Sequence, residues 1–258
     1  MKQRIAIVQY NIAWCDWQAN RVALDGVVRQ LMENDGVDVV VLPEMFMTGF
    51  VVDAEQVAVY ADSTLEFMHN MARRLDAAVV GSVVERVEGS YRNRMYFVKP
   101  SGDVEWYDKR HLFSIGGEAE RFTAGNRRRV VEWRGVRYLL EICYDLRFPV
   151  WSRQRGDYDA IIYSALWPKP RREVWTTLLR ARAIENQAYV VGVNRVGEEP
   201  TLEYAGDSMV VDYRGRCVAE CGSQACLRIA EIDLEEQQAF RRRFDVGRDA
   251  DDFELNLT

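Results

Sequence analysis

Histidine is scarce in this chain: His69 and His111 are the only two among 258 residues. A papain-like cysteine–histidine centre therefore has little to draw on. His69 sits beside the apolar stripe of an expected helix, as a packing residue does, which leaves His111 as the one candidate base. Long apolar runs are also missing. None approaches the ~18 residues that a membrane helix needs, and Lys2 and Arg4 lead straight into Ile5-Ala6-Ile7-Val8 with no longer apolar region behind them, so no signal peptide is expected. Charge of one sign is gathered nowhere. The 34 basic and 40 acidic residues are interspersed for a net charge of −6, so neither a nucleic acid nor a membrane surface is expected as a partner. The runs Arg127-Arg128-Arg129 and Arg241-Arg242-Arg243 are short and read as solvated faces.

The five cysteines are odd in number, and Cys15, Cys143, Cys217, Cys221 and Cys226 do not pair at zinc-type spacings. That places the chain in a reducing compartment, the cytoplasm, without a structural metal. Cys217, Cys221 and Cys226 are expected as small buried hydrophobes on two short strands joined by Gly222-Ser223. No Pro/Ser-rich linker divides the chain, and 48% apolar residues suffice for a substantial core, so residues 1–258 read as one domain. Roughly the last 12 residues, with Asp249, Asp251 and Asp252, read as a surface tail or a partner-contacting arm.

What is present alternates. Leu24, Val27, Val28, Leu31 and Met32 recur at helical spacing, Gly36 stops them, and the apolar run from Val37 to Leu42 suits a strand buried on both faces. A second helix through Leu65, Met68, Ala72 and Leu75 leads to a strand from Ala77 to Val84 and another from Arg94 to Lys99. Strands at Tyr138 to Ile142, Ala160 to Ser164 and Ala188 to Asn194 follow, with a helix from about Arg171 to Gln187 between the last two. Strands around Ser208 to Asp212 and Leu227 to Asp233 and a helix near Leu234 to Phe244 close the chain. The order predicts an α/β fold with helix-covered sheets.

Sites in such folds gather outside the carboxyl ends of strands, and three chemically capable residues stand there. Glu44 follows Val39-Val40-Val41-Leu42-Pro43, where a partly desolvated carboxylate suits proton transfer; the alternative is a helix cap or surface glutamate. Cys143 ends Tyr138-Leu139-Leu140-Glu141-Ile142, where a sharp turn would expose its sulfur beside the next backbone N–H; the alternative is a structural cysteine. Lys109, in Tyr107-Asp108-Lys109-Arg110-His111-Leu112-Phe113, would draw down the pKa of a neighbouring thiol or hold an oxyanion, unless it is simply on the surface. His111 shares that segment, so a Cys143–His111 pair stays open.

Pro43-Glu44-Met45-Phe46, the Tyr107 to Phe113 segment and Ile142-Cys143-Tyr144-Asp145-Leu146-Arg147-Phe148-Pro149, in that order and at those separations, resemble the nitrilase superfamily. The likeness runs from the first strand through Arg182-Ala183-Ile184-Glu185-Asn186-Gln187 and Gly206-Asp207-Ser208 to the C-terminal helix. Within the superfamily the chain looks most like the bacterial ω-amidase branch, which hydrolyses α-ketoglutaramate and α-ketosuccinamate. The resemblance implies a four-layer α-β-β-α sandwich, a homodimer packed across a shared helical face, and a triad of Glu44, Lys109 and Cys143. It also implies a second glutamate, matched here by Glu118, with Glu120 close enough to leave the assignment open.

The implied chemistry is attack by Cys143 on an amide, with the oxyanion held by Lys109 and the backbone N–H of Tyr144. Loss of ammonia leaves a thioester that water hydrolyses. It needs no metal or organic cofactor, only a small amide substrate and water. Arg147 is the candidate for binding a substrate carboxylate, against a salt bridge to Asp145 or a neighbouring loop carboxylate; Phe46, Phe113 and Trp167 are candidate pocket walls, against filling core. The same triad also serves other aliphatic amides, N-carbamoyl amines and nitriles, and a non-catalytic scaffold of the same fold is the reading from another class.

Overall fold

In β1 (Lys2–Gln9), Ile5 and Ile7 point to one face and Ala6 and Val8 to the other, and all four are buried. A strand with period-two side chains and no wet face must lie in a sheet covered on both sides. The computed structural model, which describes residues 1–255, shows what covers it. The chain continues through α1 (Trp17–Met32), β2 (Val39–Val41), α2 (Ala54–Ala58), α3 (Ala61–Leu75), β3 (Ala78–Val87), β4 (Ser90–Val98) and β5 (Val104–Asp108). Next come α4 (Glu118–Arg121), β6 (Val130–Trp133), β7 (Val136–Ile142), α5 (Pro149–Ser152), β8 (Ala160–Ser164), α6 (Arg172–Asn186) and β9 (Tyr189–Val193). The last elements are β10 (Val196–Glu198), β11 (Glu203–Ala205), β12 (Met209–Val211), β13 (Cys217–Glu220), β14 (Cys226–Asp233) and α7 (Leu234–Arg243).

Two six-stranded sheets result, ordered β14-β1-β2-β3-β4-β5 and β13-β12-β9-β8-β7-β6, with β10 and β11 as a separate ribbon. Each has a parallel centre: β1, β2 and β3 in one, β7, β8 and β9 in the other. Ile5, Ile7, Val39, Val41, Val80 and Phe97 of the first sheet share a core with residues of the second. There the Tyr138 ring tilts against Phe97 at 5.9 Å and its hydroxyl donates to Gln3. The alternate residues Ala6, Val8, Val40, Val79 and Val98 meet Leu24, Val28 and Leu31 of α1 and Met68, Met71 and Ala72 of α3. On the outside of the second sheet α6 lies so close that a Cβ on Gly192 would come within 2.5 Å of Leu179. Helices, sheet, sheet and helix make the four-layer α-β-β-α sandwich that the resemblance implies.

The two strands expected on either side of Gly222-Ser223 are β13 and β14, and they belong to different sheets, so the chain crosses between sheets there. The structure corrects the expected burial. Cys217, Cys221 and Cys226 are half-buried at that seam, not core residues. The segment after α7 turns at Val246–Asp249 and then runs extended, with the Arg155 guanidinium over the Phe253 ring at 4.7 Å; residues 256–258 of the expected tail lie outside the described residues. Among the described residues no helix is long and apolar enough to cross a membrane.

Candidate active site

The carboxyl ends of strands from both sheets deliver most of the polar cluster. Glu44 follows β2 and Lys109 follows β5 in the first sheet; Cys143 follows β7 and Leu166 follows β8 in the second. A hydrogen bond of 2.8 Å from Ser164 Oγ to the Leu42 carbonyl ties the two sheets together just below them. Glu118 enters from the first turn of α4.

Lys109, Glu44 and Glu118 are each at most 1% exposed. Lys109 Nζ donates to Glu44 Oε1 at 2.8 Å and to Glu118 Oε2 at 2.8 Å. Burial by itself would push the ammonium toward losing its proton, but Glu118 and then Glu44 outweigh burial and hold it above its ordinary range. The remaining carboxylate oxygens are also engaged. Asn93 Nδ2 donates to Glu44 Oε1 at 2.7 Å and to Glu118 Oε1 at 3.0 Å, the Leu166 N–H donates to Glu44 Oε2 at 2.9 Å, and the Phe113 N–H donates to Glu118 Oε2 at 2.6 Å. Glu118 is thus the glutamate on Lys109, while Glu120 is exposed.

Cys143 adopts φ of 44°, in the left-handed region, and opens a tight turn that spans Cys143–Arg147. A non-glycine residue held there is strained, and the sharp reversal aims the side chain off the end of the strand. Its thiol lines the same cavity as Glu44, Lys109 and Leu166. Burial first and the Glu44 carboxylate second push it well above its ordinary range, and the opposing pull of Lys109 is too small to reverse them. The expected lowering by the lysine is present but outweighed, because that ammonium already serves two carboxylates.

Asp145 holds this arrangement in register. Its buried carboxylate accepts from the Tyr107 hydroxyl at 2.8 Å, the His111 N–H at 2.9 Å and the Ile142 N–H at 2.9 Å, and contacts His111 Nδ1 at 2.8 Å. The Lys109 loop and the Cys143 turn are therefore fastened to one side chain. The alternative reading of Arg147, a salt bridge to Asp145, is not what the structure shows. Asp145 also separates His111 from Cys143: the imidazole stacks on Phe148 at 3.9 Å and is absent from the walls around the thiol.

Those walls enclose a cavity of about 440 Å³, counted to its open mouth, with Glu44, Lys109 and Cys143 among its lining residues. Phe113, Tyr144, Arg147 and Trp167 line it as well. Arg147 lies over the Trp167 ring at 5.0 Å, and no carboxylate pairs with it among the described residues. Phe46 is a correction: it is fully buried in the core beneath α1 and α3, where it fills the space left by Gly81, and does not reach the cavity. Phe50, Arg171, Leu202 and Tyr204 line the cavity without having been anticipated. Leu202 and Tyr204 come from a short ribbon that has no readable periodicity. Asn93 had a signal, since it is the polar member of a strand face continued by Met95 and Phe97.

The comparisons with known proteins agree with one another. A family model for carbon-nitrogen hydrolases matches residues 4–242. The chain is 44% identical over 254 residues, 98% of each protein, to the ω-amidase YafV of Escherichia coli K12. It is 35% identical over 257 residues, 96% of this chain and 98% of the relative, to the 2-oxoglutaramate amidase of Bacillus subtilis. Among solved structures, a CN-hydrolase superfamily protein of Xanthomonas campestris with an arsenic adduct in its active site superposes with a TM-score of 0.95 at 39% identity, covering 99% of this chain and 100% of that one. Saccharomyces cerevisiae Nit3, of branch 10 of the nitrilase superfamily, gives 0.86 at 27% identity over 95% of each chain. The chain belongs to the carbon-nitrogen hydrolase family, in the ω-amidase-like branch of the nitrilase superfamily.

Proposed function

We propose that this amidase hydrolyses the terminal amide of a short dicarboxylic monoamide, of the α-ketoglutaramate or α-ketosuccinamate type, through a thioester on Cys143. The observation that carries the reading is the cavity itself. A thiol on a strained turn shares the lining of one cavity with a carboxylate, Glu44, and an ammonium, Lys109, and the Arg147 guanidinium, which pairs with no carboxylate among the described residues, stands on its wall. The relatives named for ω-amidase and 2-oxoglutaramate amidase activity support the substrate class.

Glu44 takes the proton from Sγ as the sulfur bonds to the amide carbon. The oxyanion is held by the Lys109 ammonium and the Tyr144 N–H, each contributing on the order of 3 kcal/mol. Glu44 then gives its proton to the departing nitrogen, so ammonia leaves in place of a poor amide anion. Water, deprotonated by Glu44, attacks the thioester; the acid departs and Sγ regains its proton. Glu118 keeps Lys109 charged and aimed.

Ammonia release from α-ketoglutaramate, set against glutamine, a neutral linear amide and a nitrile, tests the proposal. Preference for the keto-acid amide that disappears in Cys143→Ala is the expected result. Equal rates on the neutral amide would overturn the substrate class, and turnover surviving in Cys143→Ala would overturn the nucleophile.

A further inference from the structure

We infer that Arg171 joins Arg147 in binding the carboxylate end of the substrate, and that the two together select α-keto or unsubstituted acids over α-amino acids. The inference rests on the amidase reading above and deepens it. Arg171 closes the short turn at Lys169–Arg171 and lines the same cavity as Cys143. Its neighbours are neutralised: Lys169 pairs with Glu203, and Arg172 pairs with Asp207 at 2.8 Å. Arg171 pairs with no carboxylate among the described residues. Its guanidinium instead lies over the Phe113 ring at 5.5 Å, as that of Arg147 lies over Trp167.

The stacking matters for recognition. A guanidinium that lies over an aromatic face keeps its N–H edge free, and that edge is the part that grips a carboxylate. The Arg171 backbone is fixed as well, since its carbonyl accepts from Trp167 Nε1 at 2.8 Å and its N–H donates to the Pro168 carbonyl at 3.0 Å. The two cations come from different turns, and each is held over an aromatic ring of the same cavity before any substrate arrives.

The lack of a counter-ion sets the selectivity. Glu44 is the one carboxylate among the lining residues, and Lys109, Asn93 and the Leu166 N–H already engage it. An α-ammonium group brought in beside the substrate carboxylate would face two guanidinium groups with nothing to balance it. An α-keto or α-methylene group meets no such repulsion.

Steady-state kinetics of Arg171→Gln and Arg171→Lys in the full chain, on α-ketoglutaramate, glutamine and pentanamide, test this. Arg171→Gln should raise KM for α-ketoglutaramate by about tenfold or more, with a loss on pentanamide at least about tenfold smaller. The preference for α-ketoglutaramate over glutamine should narrow at the same time. Arg171→Lys keeps the charge without the fork and should recover part of the loss. A wild-type enzyme with no preference for the anionic amide would sink the amidase reading itself. A selective wild type whose Arg171→Gln variant loses equally on both amides, or on neither, would sink this inference and leave that reading standing.

Discussion

Burial and the Glu44 carboxylate hold the Cys143 thiol protonated at neutral pH, with Lys109 only partly offsetting them. On the proposed mechanism the thiolate is therefore made at the moment of attack and not stored. Replacing Glu44 by Gln separates the two effects. The thiol should become more acidic, because a repelling charge is gone and Lys109 remains, so the pH midpoint for alkylation by iodoacetamide should fall. Amide turnover should drop by about 10²–10⁴ as the proton carrier is lost. Turnover near the wild-type rate, or an unmoved alkylation midpoint, would contradict this. Glu141, two residues before Cys143, has a different problem. Its Oε2 accepts from Ser152 at 2.9 Å while Oε1 is buried without a partner. Burial, helped by Asp145, raises its pKa from 4.5 to about 8. A raised folded-state value favours folding while the group is protonated, so this contribution is complete below about pH 4.5 and is lost as pH rises through about 8. Glu141→Gln should therefore gain stability over wild type at up to about 1.4 kcal/mol per pH unit across that window. Thermal unfolding at pH 5 and pH 8 reads it; a gap that stays constant with pH would refute the assignment.

Elements explain why some of the site was readable and some was not. Glu44, Lys109 and Cys143 each stand just past the end of an apolar strand, and that position is visible in a linear sequence. Asp145 stands there too, yet its partners Tyr107 and His111 come with the other sheet, so the sequence offered only the nearby Arg147 as an alternative partner for it. Short strands fared worst: β6, β10 and β11 have three or four residues, too few for periodicity, and two of the unanticipated wall residues come from the ribbon region. The β3–β4 hairpin turns at Glu88 and Gly89, with φ of 48° and 82°, which let both strands run further than their apolar cores suggested. Since Asp145 fastens the Lys109 loop to the Cys143 turn, Asp145→Asn should act on geometry. The amide retains one acceptor oxygen but brings an NH2 where an N–H or hydroxyl now donates. We expect kcat to fall by about 10–100-fold with KM little changed, together with a stability loss of about 1–3 kcal/mol. A rise in KM with kcat intact would mean that Asp145 serves substrate binding instead.

Across the whole molecule, the site exists only because two sheets meet. Glu44, Lys109, Asn93 and Glu118 come with the first sheet and its connections, Cys143 and Leu166 with the second, and the inter-sheet core of Ile7, Val41, Phe97, Tyr138 and Ile162 fixes the distance between them. Alternating helices and strands revealed that sheets were covered; spacing could not reveal that there were two, nor that β13 and β14 belong to different ones. The four-layer arrangement came from the family resemblance, and the structure bears it out. Proton transfer and thiol attack across that seam are the central claim, and the covalent intermediate is its most direct witness. Rapid acid quench of the enzyme during turnover of α-ketoglutaramate, followed by intact-protein and peptide mass analysis, reads it. The account predicts an added acyl group on the peptide that carries Cys143, present in wild type and absent in Cys143→Ala. Steady ammonia release with no such adduct at any quench time, or an adduct on a different residue, would contradict it.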